Sequence, residues 1–201
     1  MADDSEKLQK ILEGGEIVRW SGSSQPYGLF DEAHKSFTML SLMWALVWGI
    51  ILVGGYFALC ISRGLELKAV VMVVCAAVPL LIAWSPVGDK GNIKKLHYMV
   101  TDRKVVVSSS EGERACSMPI IDIDAIRAEK AGSDTCHLRF GSSTFKASAK
   151  KLPALAIRGE FDTRDNNKVY TGLVFYNISV SDGNTICDLL KPAVSIEGST
   201  S

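Results

Sequence analysis

Phe37-Thr38-Met39-Leu40-Ser41-Leu42-Met43-Trp44-Ala45-Leu46-Val47-Trp48-Gly49-Ile50-Ile51-Leu52-Val53-Gly54-Gly55-Tyr56-Phe57-Ala58-Leu59-Cys60-Ile61 is a run of 25 residues without one charge. As a helix rising 1.5 Å per residue it reaches roughly 37 Å, enough to cross a hydrocarbon core with some tilt. A second apolar run follows from Leu67 to Val87, with Lys68 near its start as its only charge. A soluble core helix of this length would need a polar stripe for its outer face, and neither run has one. The expectation is therefore a transmembrane hairpin, 37–61 and 67–87.

Only Ser62 to Leu67 separate the two runs, so the helices are antiparallel neighbours with both chain ends on one side. Basic residues choose the side. The flanks carry Arg19, Lys35, Lys90, Lys94, Lys95, Arg103 and Lys104, against Arg63 and Lys68 at the turn. This bias predicts cytoplasmic termini. Trp44 and Trp48 fall inside the first span, too deep for an interfacial belt, whereas Trp84 is placed as an anchor at the end of the second. Ala45 with Gly49 and Gly54 with Ala58 are small pairs four apart, suited to close helix approach. Neither span holds an Asp, Glu, Arg or His, which argues against a proton relay, voltage sensor or ion-coupled transport path.

The flanking sequence reads as soluble. Lys and Arg number 22, as do Asp and Glu, and this balance gives no sign of nucleic-acid binding. Cys60, Cys75, Cys116, Cys136 and Cys187 contain no Cys-x-x-Cys pair and read as free thiols in a reducing compartment. The acidic start and the absence of an apolar stretch before Phe37 imply that the first span serves as an internal signal.

Residues 1–36 are expected to hold a short helix over Asp3 to Leu12 and a strand at Glu16 to Trp20. After the hairpin, Asp89 to Asn92 reads as a turn. Strands are expected at Leu96–Val100, Lys104–Ser108, Ala115–Ile120, Asp122–Ala128, Cys136–Phe140, Thr144–Ala147, Leu155–Phe161 and Val169–Tyr176. The Cys136 and Thr144 strands would form a hairpin around Gly141, and Ser109 to Glu113 would supply another turn. Ser181 or Asp182 would cap a last helix ending at Leu190, before Pro192. The soluble domain then covers 88–192, with a flexible tail over 193–201.

Tyr98-Met99-Val100-Thr101-Asp102-Arg103-Lys104-Val105 resembles the Tyr-x-x-Thr-Asp-x-Arg-apolar signature of bacterial membrane proteins with a pleckstrin-homology-like (PH-like) domain. Lys104 stands where that family has arginine. Leu12 to Gly22, with Gly15-Glu16 and Trp20-Ser21-Gly22, is similar to the family's opening. Met118-Pro119-Ile120-Ile121-Asp122-Ile123-Asp124-Ala125-Ile126 resembles its proline-led strand. The resemblance implies an α+β membrane protein: a two-helix transmembrane hairpin plus a PH-like antiparallel β-sheet or barrel domain, capped by a C-terminal helix. It further implies a multi-pass protein of the bacterial inner membrane. On the residues alone, the Thr101–Asp102–Arg103 turn reads as structural, since such side chains bond nearby backbone.

No chemistry-bearing motif accompanies this. His34, His97 and His137 are far apart and share no metal-ligand spacing, and Cys136 and His137 are strand neighbours facing opposite ways. Asp122 and Asp124 would share one strand face, where two acids are usually solvated. There is no phosphate loop, Gly-x-Ser-x-Gly or His-Glu-x-x-His. The expectation is a non-enzymatic protein without cofactor or metal. Asn177-Ile178-Ser179 matches a glycosylation sequon that would be idle in the cytoplasm. Lys90, Lys94, Lys95, Lys146, Lys150 and Lys151 are the candidate contacts to anionic headgroups. The partners expected are the lipid bilayer and either further copies of the chain or another membrane protein. The function expected is a binding or assembly module, with an auxiliary subunit of a larger membrane complex as the alternative.

Overall fold

The computed structural model describes residues 15–109, 115–142, 145–165, 168–191 and 195–198. The helix expected over Asp3 to Leu12 and most of the turn after Ser109 lie outside them. The protein is α+β and, among the described residues, has two β-sheets and two helices long and apolar enough to cross a membrane.

The first long helix begins as α1 (Glu32–Gly49), passes through a π turn at Ile50–Gly54 and continues as α2 (Gly55–Arg63). Gly64 ends it in the left-handed region, at φ 61°. Leu65 N–H then reaches back to Cys60 O (2.9 Å) and Gly64 N–H to Ile61 O (3.3 Å), the paired bonds of a Schellman motif. The Tyr56 hydroxyl accepts from Lys68 N–H across the turn (3.1 Å). The chain returns as α3 (Ala69–Ile93), antiparallel to α1 and carrying Pro79 and Pro86. Of the two small pairs, Ala45 is buried and a Cβ on Gly49 would lie 3.8 Å from Pro79, so this pair meets the facing helix. A Cβ on Gly54 would meet nothing.

The turn expected at Asp89–Asn92 is instead helix, because α3 does not stop where its apolar run ends. Gly88 and Gly91 stay helical, and the helix runs on until Ile93 is fully buried in the domain core. Tertiary burial outweighs the weak local preference of two glycines for a break.

The first sheet is antiparallel, in the order β1 (Val18–Ser23), β2 (Leu96–Thr101), β3 (Lys104–Ser109), β4 (Ala115–Pro119). The strand expected at Glu16–Trp20 is thus shifted forward. A 3-10 turn at Ile120–Asp122 carries the chain to the second sheet, so Asp122 and Asp124 do not share a strand. That sheet contains β5 (Ala125–Lys130), β6 (Thr135–Gly141), β7 (Glu160–Asp165), β8 (Lys168–Ser179) and β9 (Ser195–Gly198). Its order is β7-β8-β6-β5-β9, with only β9 parallel to its neighbour. β9 lies within the stretch expected to be a tail. The described strands make two separate sheets and not one closed barrel.

Two further expectations fail because packing decides them. Residues 145–147 form no strand, and β6 pairs with β5 and β8 in place of a hairpin around Gly141. Most of the segment expected as a strand from Leu155 is the end of helix α4 (Lys151–Arg158). Leu152, Leu155 and Ala156 fall on one helical face, and all three are buried.

The last helix, α5 (Val180–Leu190), is capped by Ser179 and not by Ser181 or Asp182. Ser179 Oγ accepts from Asp182 N–H (3.0 Å) and lies 2.6 Å from Asp182 Oδ2, a reciprocal cap. Ile186 and Leu190 of α5 join Tyr98, Val105, Phe140 and Phe175 of both sheets in one core. The Thr101–Arg103 turn is a clamp on β1. Thr101 Oγ1 accepts from Lys104 N–H (2.9 Å), Asp102 Oδ1 accepts from Ile17 N–H (3.0 Å), and Lys104 Nζ pairs with buried Glu16 (3.2 Å).

Candidate functional site

The helical hairpin enters the domain at one place, and the polar and aromatic groups there form the candidate site. Gln25 N–H donates to Asn177 O (2.7 Å) and Asn177 Nδ2 donates to Gln25 O (2.8 Å), which fixes the approach loop to the end of β8. Asp31 precedes α1, and its carboxylate accepts from Gly28 N–H. These bonds hold Tyr27 against the first turn of α1, where its ring stacks on His34 at 4.0 Å between centroids. Thr38 Oγ1 donates to Leu29 O (2.6 Å), tying the next turn to the same loop.

The two sheet residues that complete the cluster are His137 of β6 and Tyr176 of β8. Their rings stack at 4.2 Å, and His34 meets His137 edge-on at 5.9 Å. Asn177 N–H donates to His137 Nδ1 (3.0 Å), which makes that nitrogen an acceptor and the ring neutral. Asn177 holds φ at 55°, a region that asparagine tolerates better than most residues. Burial, with the neighbouring His34 adding to it, pushes the His137 pKa down to about 3. Burial likewise raises the Tyr27 and Tyr176 hydroxyls well above their usual range.

From the second helix, Lys90 Nζ lies 5.6 Å over the Tyr27 ring. Cluster and helix ends thus form one joint between hairpin and domain. Beside it is an open cleft of about 430 Å³, lined among others by Tyr27, Asp31, His34, Asp134, Thr135 and Asn177.

The arrangement anchors the hairpin to the second sheet and engages the groups that covalent chemistry would use. His137 is neutral throughout the ordinary pH range, and its Nδ1 lone pair is already engaged. Cys136, next to it in sequence, is pushed up to about 11 by burial, which keeps it a thiol and a poor nucleophile. Among the described residues no group of three or more His, Cys, Asp and Glu could hold a metal ion.

The headgroup candidates do not form one patch. Lys94 and Lys95 follow α3 beyond buried Ile93, and Lys90 is half-buried over Tyr27. Lys146, Lys150 and Lys151 are exposed around the start of α4, and Lys150 Nζ lies 6.0 Å over the ring of Trp44 in α1. The Tyr27–His34–His137–Tyr176 cluster leaves no sign in the sequence pattern. The contact between His34 and His137 depends on how the hairpin docks on the second sheet, and no local pattern encodes that. Comparison with protein-family models, curated proteins and solved structures finds no match for this chain.

Proposed function

We propose that this chain is an integral membrane protein in which a two-helix hairpin holds a PH-like binding or assembly domain at the cytoplasmic face of a bacterial inner membrane. One observation carries the membrane reading. In the most apolar stretches of the two long helices, only 11% and 6% of residues are buried by the rest of the protein. Leu46, Ile50, Ile61, Val70, Val73 and Leu80 all lie open. A core helix of a soluble protein would be covered, and apolar surface on this scale needs lipid or another protein around it.

The PH-like reading is supported by an antiparallel four-stranded sheet, a second sheet and, after β8 and before β9, a helix whose apolar face completes the shared core. The cytoplasmic side is supported by the excess of Arg and Lys at the domain end of the hairpin. A module of this kind works by presenting its surface to a partner, to further copies or to headgroups.

The experiment is alkaline washing of membranes from cells expressing the full chain, then native mass spectrometry of the protein released by mild detergent. Retention in the washed pellet is expected, and release without detergent would overturn the membrane reading. A discrete oligomer or retained lipid supports the binding module. A stoichiometric foreign protein would instead make the chain an auxiliary subunit of a larger complex.

A further inference from the structure

The geometry points to Lys150, flanked by Lys146 and Lys151 and set over Trp44, as a seat for the phosphate of an anionic phospholipid in the leaflet next to the domain. The inference rests on the membrane reading above.

Depth is the first argument. Gly49 faces Pro79 across the antiparallel helices, and the same register brings Trp44 level with Trp84. From Trp44 to Arg63 the helix rises about 29 Å, close to the thickness of a hydrocarbon core. The two indoles therefore mark the near boundary of the span, where amphipathic rings sit at headgroup level. This moves Trp44 from the interior of the span, where the sequence pattern put it, to its edge. Before Trp44 one face of the helix belongs to the joint, with His34, Phe37, Thr38 and Ser41 buried, while Met39, Leu42 and Met43 on the other face stay open.

Charge is the second argument. The whole chain is balanced, yet residues 142–158 contain Lys146, Lys150, Lys151 and Arg158 and no acid. All four side chains are exposed, while Phe145, Leu152, Leu155 and Ala156 anchor the segment in the domain. α4 also packs beside α3, so this basic segment is held against the hairpin. An ammonium over an exposed indole at the membrane boundary leaves its outer side to an anion.

Depth also separates this group from Lys94 and Lys95. Lys94 lies ten residues beyond Trp84, about 15 Å along the axis and more than a Debye length at physiological salt.

The test uses the full chain purified in mild detergent and exposed to mixed micelles of phosphatidylglycerol and phosphatidylcholine, with bound lipids counted by native mass spectrometry. The unaltered protein is expected to enrich phosphatidylglycerol. Lys150→Gln is expected to lower the enrichment about five-fold, as one lost headgroup charge would. Lys150→Arg should retain it, and Lys94→Gln should change it by less than about two-fold. No enrichment, or equal losses for Lys150→Gln and Lys94→Gln, would overturn the seat. So would displacement of the lipid by inorganic phosphate, since the pocket would then select a free anion. A protein that needs detergent but shows no enrichment sinks the seat alone. One that leaves the membrane without detergent sinks the membrane reading.

Discussion

The two ends of the hairpin differ in sequence, with Asp31, His34, Asp89 and Lys90 at the near end, and they meet different surroundings. At the far end, Ile61, Val70 and Val73 are open, and among residues 51–85 only Cys60 is buried. At the near end, Pro86 and Ile93 are buried, and His34, Phe37, Thr38 and Ser41 form a buried stripe along α1. The difference shows that a long apolar helix need not have one solvent. Its far part is finished by whatever covers the hairpin, and its near part is an element of the domain core. The joint between them brings His34 of the hairpin against His137 of the second sheet.

The largest expected effect separates the two ends directly. Ile93→Ala removes a fully buried side chain from the domain core and should cost about 2–5 kcal/mol. Val73→Ala, at an open position, should stay within about 0.5 kcal/mol. Both are read from unfolding of the detergent-solubilised chain, followed by tryptophan fluorescence. Equal losses at the two sites would break the comparison, because the far end would then have to be packed against protein.

A smaller effect comes from acid. Burial depresses His137 from the ordinary imidazole value of 6.5 to about 3, so the folded state resists a proton that the unfolded chain accepts. Its contribution to stability is complete above pH 6.5 and is lost as pH falls toward 3. Within that window the slope approaches about 1.4 kcal/mol per pH unit. Carboxylates titrate in part of the same range, so the informative quantity is the difference from His137→Asn, whose side-chain oxygen can still accept from Asn177 N–H. An unchanged slope in the variant would mean that the near end is wet enough to charge His137 freely.

The hairpin and the β2–β3 pair could be read from sequence because their signals are local. Twenty-five uncharged residues report their solvent directly, and Thr101-Asp102-Arg103 contains its own turn chemistry. α4 could not be read the same way. Its eight residues, Lys-Leu-Pro-Ala-Leu-Ala-Ile-Arg, suit a short strand as well as two helical turns, and packing decides. The end of α3 was hidden for a related reason, since Asp89 to Asn92 looks like a turn until Ile93 is known to enter the core. The site was the least legible part. His34 and His137 meet only because the second sheet and the hairpin dock as they do, and their spacing along the chain carries no trace of it.

The smallest effect asks whether the near end is dry. His34 is only 3% exposed, and neither ring nitrogen has a hydrogen-bond partner among the described residues. Its ring is nevertheless held, stacked on Tyr27 and edge-on to His137. A buried imidazole without partners loses hydration and gains only packing, and packing is what phenylalanine supplies. His34→Phe should therefore stabilise the protein, by about 1 kcal/mol. A loss of stability would mean that the imidazole is bonded to water or to a molecule in the cleft beside it. The near end would then be an open polar joint, and its contrast with the exposed apolar half would be one of wetness as much as of packing.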